Sequence, residues 1–160
     1  GAGMIGTIEF DSATLYRYAT FNVDALLRNL GDVEAAAQAV EAFVRSFATS
    51  MPTGKQNTFA NRTAPDAVVV MVREDRPVNM VGAFEEPVRS RNGYMAESCK
   101  AFAEYAAELD AAFGNPPADT WVTRVGGRTD AVASLGETVT FHELVRRAGE
   151  RTRIVATEQP

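Results

Sequence analysis

Cysteine and histidine are almost missing from this 160-residue sequence, with Cys99 and His142 the only examples. A single cysteine excludes an internal disulfide. One cysteine and one distant histidine also supply neither a metal set of recognised spacing nor a nucleophile and its base. Lysine is nearly as scarce: Lys55 and Lys100 stand alone, and arginine carries the rest of the positive charge. No apolar run approaches the roughly 20 residues that span a bilayer. The longest candidate, Ala67 to Val72, has the length of a buried strand. No basic stretch followed by an apolar one opens the chain, so no secretory signal is legible. These absences point to a reducing cytoplasm and away from a membrane.

Positive charge is in deficit overall, with a formal net charge of −5. A nucleic-acid binder ordinarily leaves a basic footprint, so any polyanion site here has to be local. What is present is ordinary for one globular domain: 46% apolar, 23% charged and 9% aromatic residues, in a chain long enough for one core. Gly1-Ala2-Gly3 precede the first methionine, Met4, which favours a fragment of a longer protein.

Periodicity predicts a mixed arrangement. Thr7 to Val23 has strand character, with Ile8 and Phe10 alternating with polar neighbours. A short helical turn is expected over Asp24 to Leu30, ended by Gly31. Asp32 is placed to cap a long helix whose apolar face is Val33, Ala36, Val40, Phe43, Val44 and Phe47, ending near Met51 before Pro52. A polar loop follows, from Thr53 to Ala64. Ala67 to Arg73 is expected to be a central strand with both faces covered, and Val78 to Phe84 a second short strand. After Gly93, a second long helix carries Met95, Cys99, Phe102, Ala106, Leu109 and Phe113 until Gly114-Asn115-Pro116-Pro117 stops it. Trp121 to Val125 reads as a strand. Thr140 and Glu143 have the spacing of a capping box for a short last helix, Phe141 to Ala148, with a frayed tail beyond Arg153. The fold class is α+β.

Gly54-Lys55 invites a phosphate-loop reading, but Gln56 stands where a Ser or Thr must hold Mg²⁺, and Thr49 where the first glycine belongs. The same stretch has another peculiarity. Between Ala42 and Pro65 no acidic residue occurs, whereas Arg45, Lys55 and Arg62 are positive and Gln56 and Asn57 add neutral donors suited to phosphate and sugar oxygens. Composition alone allows this to be an ordinary solvated loop. Tyr16-Arg17-Tyr18 places two aromatics on one strand face and a cation on the other, a pattern that serves either base stacking or core packing. Arg89-Ser90-Arg91 is a second basic cluster, readable as balance for Glu85 and Glu86. No pair of carboxylates forms a catalytic constellation, and no cofactor motif is present, so an enzyme is not expected.

Two strings carry a resemblance. Ile5-Gly6-Thr7-Ile8-Glu9-Phe10 runs on to Leu15-Tyr16-Arg17-Tyr18-Ala19-Thr20-Phe21-Asn22. Pro52-Thr53-Gly54-Lys55-Gln56-Asn57-Thr58-Phe59-Ala60 then leads through Pro65-Asp66 into the Val68 to Val72 strand and on to Ala83-Phe84-Glu85. In this order, separated by one amphipathic helix, they closely resemble the CasC (Cas-seven) family, the repeated backbone subunit of the type I-E CRISPR Cascade surveillance complex. The likeness is close over residues 1–94 and looser from Met95 onward. It implies a partial RRM-like (ferredoxin-like) palm built of a β-sheet, two long helices and a short C-terminal helix. Residues 1–6 would end the thumb, 7–94 form the palm core and 95–153 a C-terminal extension, the family's N-terminal half being absent. Thr14 to Phe21, Asp32 to Ser50 and Ala67 to Arg73 would belong to a split βαβ unit, in which Ala67 to Arg73 shows an unpaired edge or a substitute neighbour.

The resemblance further implies a non-enzymatic, prokaryotic cytoplasmic subunit that polymerises along CRISPR RNA. Its partners would be that RNA, the target DNA strand through the guide, further copies of itself and other Cascade subunits. It places RNA contacts at Lys55, Gln56, Asn57, Arg62, Tyr16, Arg17, Tyr18, Arg89 and Arg91, with no metal and no cofactor. The alternative is a protein-interaction module of the same complex with little RNA contact of its own.

Overall fold

The computed structural model describes residues 13–51 and 63–158. In chain order it has α1 (Val23–Leu30), α2 (Val33–Thr49), β1 (Ala67–Val72), a 3₁₀ segment at Met80–Phe84, α3 (Met95–Phe113), β2 (Asp119–Arg124), a second 3₁₀ segment at Gly127–Leu135, β3 (Glu137–Thr138) and α4 (Phe141–Glu158). The arrangement is α+β: a three-stranded sheet of order β1-β2-β3 with helical layers on both faces.

The helix boundaries follow from side-chain chemistry near each end. Asn22 accepts a hydrogen bond from the Ala25 N–H at 2.8 Å to start α1, and Gly31, at φ +63°, ends it. Asp32 starts α2 in the same way, accepting from the Ala35 N–H at 3.0 Å. These are the N-cap and left-handed C-cap expected from the sequence. At α4 half of the expected capping box forms. Thr140 accepts from the Glu143 N–H at 3.3 Å, but the Glu143 carboxylate turns to Arg146 and Arg147.

β1 and β2 run antiparallel, with Val70 opposite Trp121 and Val69 opposite Val122. Alternation along the strands sends successive residues to opposite faces. Trp121, Val68, Val70 and Val72 meet Val40 and Val44 of α2 and Leu144, Val145 and Ala148 of α4. Val122, Ala67 and Val69 meet Cys99 of α3 and Val132 of the second 3₁₀ segment. β1 is therefore covered on both faces, as expected, and among the described residues it stands at one end of the strand order rather than in the middle.

Three other expectations are corrected. Thr14 to Phe21 is irregular rather than a strand, because its backbone finds no ladder partner among the described residues and side chains hold it instead. Val78 to Phe84 contains a 3₁₀ segment, because the Asn79 side chain caps the Val81 N–H at 3.0 Å and Gly82 lies against the Tyr105 ring. The last helix continues to Glu158, ten residues past the expected end. Gly149 and Thr152 are buried, and Arg153 bonds Glu34 of α2 at 2.7 Å and approaches Glu41 at 3.4 Å. Those partners lie more than a hundred residues away in sequence, so local reading saw only a polar tail.

Two close contacts fix the sheet. A Cβ at Gly136 would collide with the Thr120 backbone, so only glycine lets β3 approach β2. Arg73, just beyond β1 and with a side chain only 6% exposed, bonds Asp110 of α3 at 2.8 Å, Asp75 at 3.1 Å and the Asn115 carbonyl.

Gly136→Ala is expected to lower stability by about 1–3 kcal/mol through overpacking, read as a lower denaturant midpoint at unchanged slope. Arg73→Met leaves Asp110 without its cation and is expected to cost about 3 kcal/mol in the same measurement. An acid limb is also expected. The hydrogen bond from Arg153, helped by Gln38, holds the Glu34 carboxyl at about 2, below its ordinary 4.5. Arg146 and Arg147 hold Glu143 at about 2 likewise. Because both pKa values are lowered by folding, their contribution is complete above about 4.5 and is lost as pH falls towards 2. Glu34→Gln should flatten that part of the stability curve.

Candidate nucleic-acid interface

The most useful property of the surface is how its arginines are partitioned. Arg124, Arg146, Arg147, Arg151 and Arg153, all after α3, are engaged by carboxylates, as is Arg73. Arg17, Arg28, Arg45, Arg76, Arg89 and Arg91, all before α3, form no salt bridge among the described residues, and Arg128 is the one such arginine after it. Unneutralised guanidinium groups are what a phosphate backbone requires.

Arg17 is held in place. Its guanidinium donates to the Ser50 carbonyl at 2.8 Å and to the Met51 sulfur at 3.7 Å, and lies 4.5 Å from the centre of the Phe47 ring. This seats a cation at the C-terminal end of α2, where carbonyl groups lack helical partners and favour positive charge. It also lies directly before the segment that begins with Pro52. Lys55, Gln56, Asn57 and Arg62 lie outside the described residues, so their contacts are not described.

Tyr16 belongs to the packing. Its ring sits 5.3 Å from Phe84 and 5.9 Å from Phe102. Its hydroxyl accepts from the Met80 N–H at 3.2 Å and donates to Asn79 Oδ1 at 3.1 Å. Burial pushes the phenol pKa up, against the Met80 hydrogen bond, so it stays neutral. Of the two readings open for the Tyr16–Tyr18 stretch, core packing describes Tyr16. Tyr18 is 38% exposed and Arg17 is exposed on the far side. Arg89 and Arg91 are exposed in the irregular stretch before α3, and no hydrogen bond or ion pair joins them to Tyr16–Tyr18.

Sequence reasoning missed an aromatic flank beside Arg17. Phe21 meets Phe43 edge-on at 5.2 Å, and Phe43 stacks on Phe47 at 5.9 Å. Phe21 and Phe43 remain about two-fifths exposed, at 40% and 41%. The i, i+4 pair of phenylalanines at the margin of the apolar stripe was the available signal. His142 is exposed and Cys99 buried, and burial pushes the Cys99 thiol pKa up. Among the described residues, no group of three His, Cys, Asp or Glu side chains is placed to hold a metal ion. No described helix is long and apolar enough to cross a membrane.

No curated protein matches this chain. Among solved structures, a chain of a "CRISPR RNA-guided surveillance complex" is similar at TM-score 0.75 and 34% identity, covering 81% of this chain and 50% of that one. A chain of a "CRISPR RNA-guided surveillance complex, pre-nicking" is similar at TM-score 0.73 and 34% identity, covering 82% of this chain and 35% of that one. The present chain thus spans half or less of the length of the structures it matches. The family model for CT1975-like proteins matches residues 1–147, well past Tyr94, where the sequence likeness loosens. The chain therefore belongs to the CT1975-like family, whose relatives of known structure are subunits of CRISPR surveillance complexes.

Proposed function

We propose that this chain is part of the RNA-binding backbone subunit of a type I-E Cascade, polymerising along the guide of a CRISPR RNA and supporting recognition of the target DNA strand. The observation that carries this reading is the arginine partition. Among the described residues the arginines left without carboxylates, Arg128 excepted, precede α3, and Arg17 stands on Ser50 and Met51, just before the acid-free segment that bears Lys55, Gln56, Asn57 and Arg62. A negatively charged chain can bind a polyanion if its carboxylates are consumed by one set of cations while another set stays free. Membership of a family whose solved relatives are RNA-guided complexes supports the same reading. Contacts of this kind touch phosphate and sugar, so binding is indifferent to guide sequence, as a complex that accepts any spacer requires.

The subunit is non-catalytic in this reading, and strand cleavage belongs to another component. Its one histidine and one cysteine serve no common site, the first being exposed on α4 and the second on the buried face of α3. A protein-interaction module with little RNA contact is the second reading, favoured by the exposed Phe21–Phe43 flank.

Filter binding with the full-length subunit separates the two. Lys55→Ala and Arg62→Ala should each weaken binding to unrelated guide sequences by the same factor. Each should also lower the slope of log affinity against log salt by about 1. Lys100→Ala, which removes a lysine paired with Glu104 at 3.9 Å, should change neither. Unchanged binding in the Lys55 and Arg62 variants would remove the loop from the interface and leave the interaction module. An Arg89→Ala, Arg91→Ala double variant should lower the salt slope by about 2 if both arginines meet phosphates, and by none if they are surface balance.

A further inference from the structure

The Tyr16 hydroxyl is used in both directions. It accepts from the Met80 N–H at 3.2 Å and donates to Asn79 Oδ1 at 3.1 Å. The same Asn79 oxygen accepts from the Val81 N–H at 3.0 Å, so one hydroxyl braces the start of the first 3₁₀ segment. The Tyr16 ring holds the other end of that segment through Phe84, at 5.3 Å. From the opposite side comes Tyr105 of α3, whose hydroxyl is so close to Gly82 that a Cβ there would collide with it. The segment is thus gripped between two tyrosines before the chain runs on to Arg89 and Arg91. The stretch from Glu85 to Tyr94 has no helix or strand of its own. Within it the Asn92 N–H donates to Ser90 Oγ at 3.2 Å, a local turn between the two arginines. Its placement is therefore set by its two ends, the 3₁₀ segment and the first turn of α3.

Arg17 is the next residue, and its side chain is fixed on a different element. The Ser50 carbonyl, the Met51 sulfur and the Phe47 ring hold it at the end of α2. Tyr16 meanwhile also meets Phe102 of α3. Two adjacent side chains thus reach the two helical layers, and the peptide between them is a short link from α2 to the 3₁₀ segment.

We infer that Tyr16 is a positioning residue for the proposed RNA site. Through its hydroxyl it holds the stretch bearing Arg89 and Arg91 at a set distance from Arg17, and its ring does not meet RNA. The inference rests on the proposed reading of these arginines as phosphate contacts. Phosphates recur at regular spacing along a strand, so cations held at a fixed separation bind without first having to be ordered. Base stacking, the other use of a tyrosine in such a site, needs an open ring face. Here the ring is packed between Phe84 and Phe102.

Filter binding of the full-length subunit to CRISPR RNA tests it. Tyr16→Phe keeps the ring and every charge but loses both hydrogen bonds. It should weaken binding by about threefold to tenfold. Although no charge is removed, the slope of log affinity against log salt should also fall, because the contacts of Arg89 and Arg91 are lost with the tie. Asn79→Ala should do the same. In an Arg89→Ala, Arg91→Ala background, Tyr16→Phe should have no further effect. A stacking tyrosine gives another pattern, with Tyr16→Phe neutral and Tyr16→Leu weaker at unchanged slope, and that result would overturn the inference. So would an equal loss in both backgrounds, the mark of general destabilisation. Pulsed electron resonance between spin labels at Ser46→Cys and Glu86→Cys adds a readout that needs no RNA. The distance distribution should be narrow with Tyr16 present and broad in Tyr16→Phe, and identical distributions would sink the tie. A subunit that shows the broadening but binds no RNA would refute the proposed function while leaving the tie standing.

Discussion

The β1–β2 ribbon has to be dry on both of its faces, and the rest of the structure is arranged to satisfy that. Trp121 and Val122 are adjacent, nearly fully buried and on opposite sides. Each large apolar side chain removed from water contributes roughly 1.5–3 kcal/mol, so neither face can be left wet in a domain of this size. One face is closed by α2 and α4, and the other by α3 with the second 3₁₀ segment. The two helical layers do not touch the same residues. They are coupled through the pleat of a two-stranded ribbon and through Arg73, which ties the end of β1 to α3.

α2 has three flanks, each with a different task. Ala36, Val40, Val44 and Ala48 face the core. Glu34 and Glu41 face α4 and hold Arg153, and the helices come so close there that a Cβ on Gly149 would enter the Glu41 side chain. Phe43 and Phe47 face the 13–22 segment and carry Arg17. The carboxylates are thereby drawn to one flank and the free guanidinium to the other. This separation within a single helix lets a chain of negative net charge keep a cationic corner.

Much of this was legible in the sequence because it is local. Caps at Asp32, Gly31 and Gly114 obey short-range rules, and the apolar stripes of α2 and α3 repeat at helical spacing. What was not legible depends on distant partners. Gly149 to Arg153 looks like a polar tail until Glu34 and Glu41 are brought alongside. Thr14 to Phe21 alternates like a strand, but alternation cannot report whether a neighbouring strand is present. The β1 run reads as central because both of its faces are apolar, and apolarity says nothing about edges. Of the candidate interface residues, Arg17 and Tyr16 were singled out by pattern. Their roles could be separated only by contacts, since Tyr16 packs inward and Arg17 outward.

Helix α3 adds a last consequence. It turns Glu97, Glu104 and Glu108 to solvent, with Lys100 its single cation. A polyanion drifting towards that flank meets repulsion. At physiological ionic strength the potential reaches roughly 8 Å from the surface, far enough to turn an incoming strand before contact. In the proposed RNA-binding role, that field would turn a strand away from α3 before any hydrogen bond had formed.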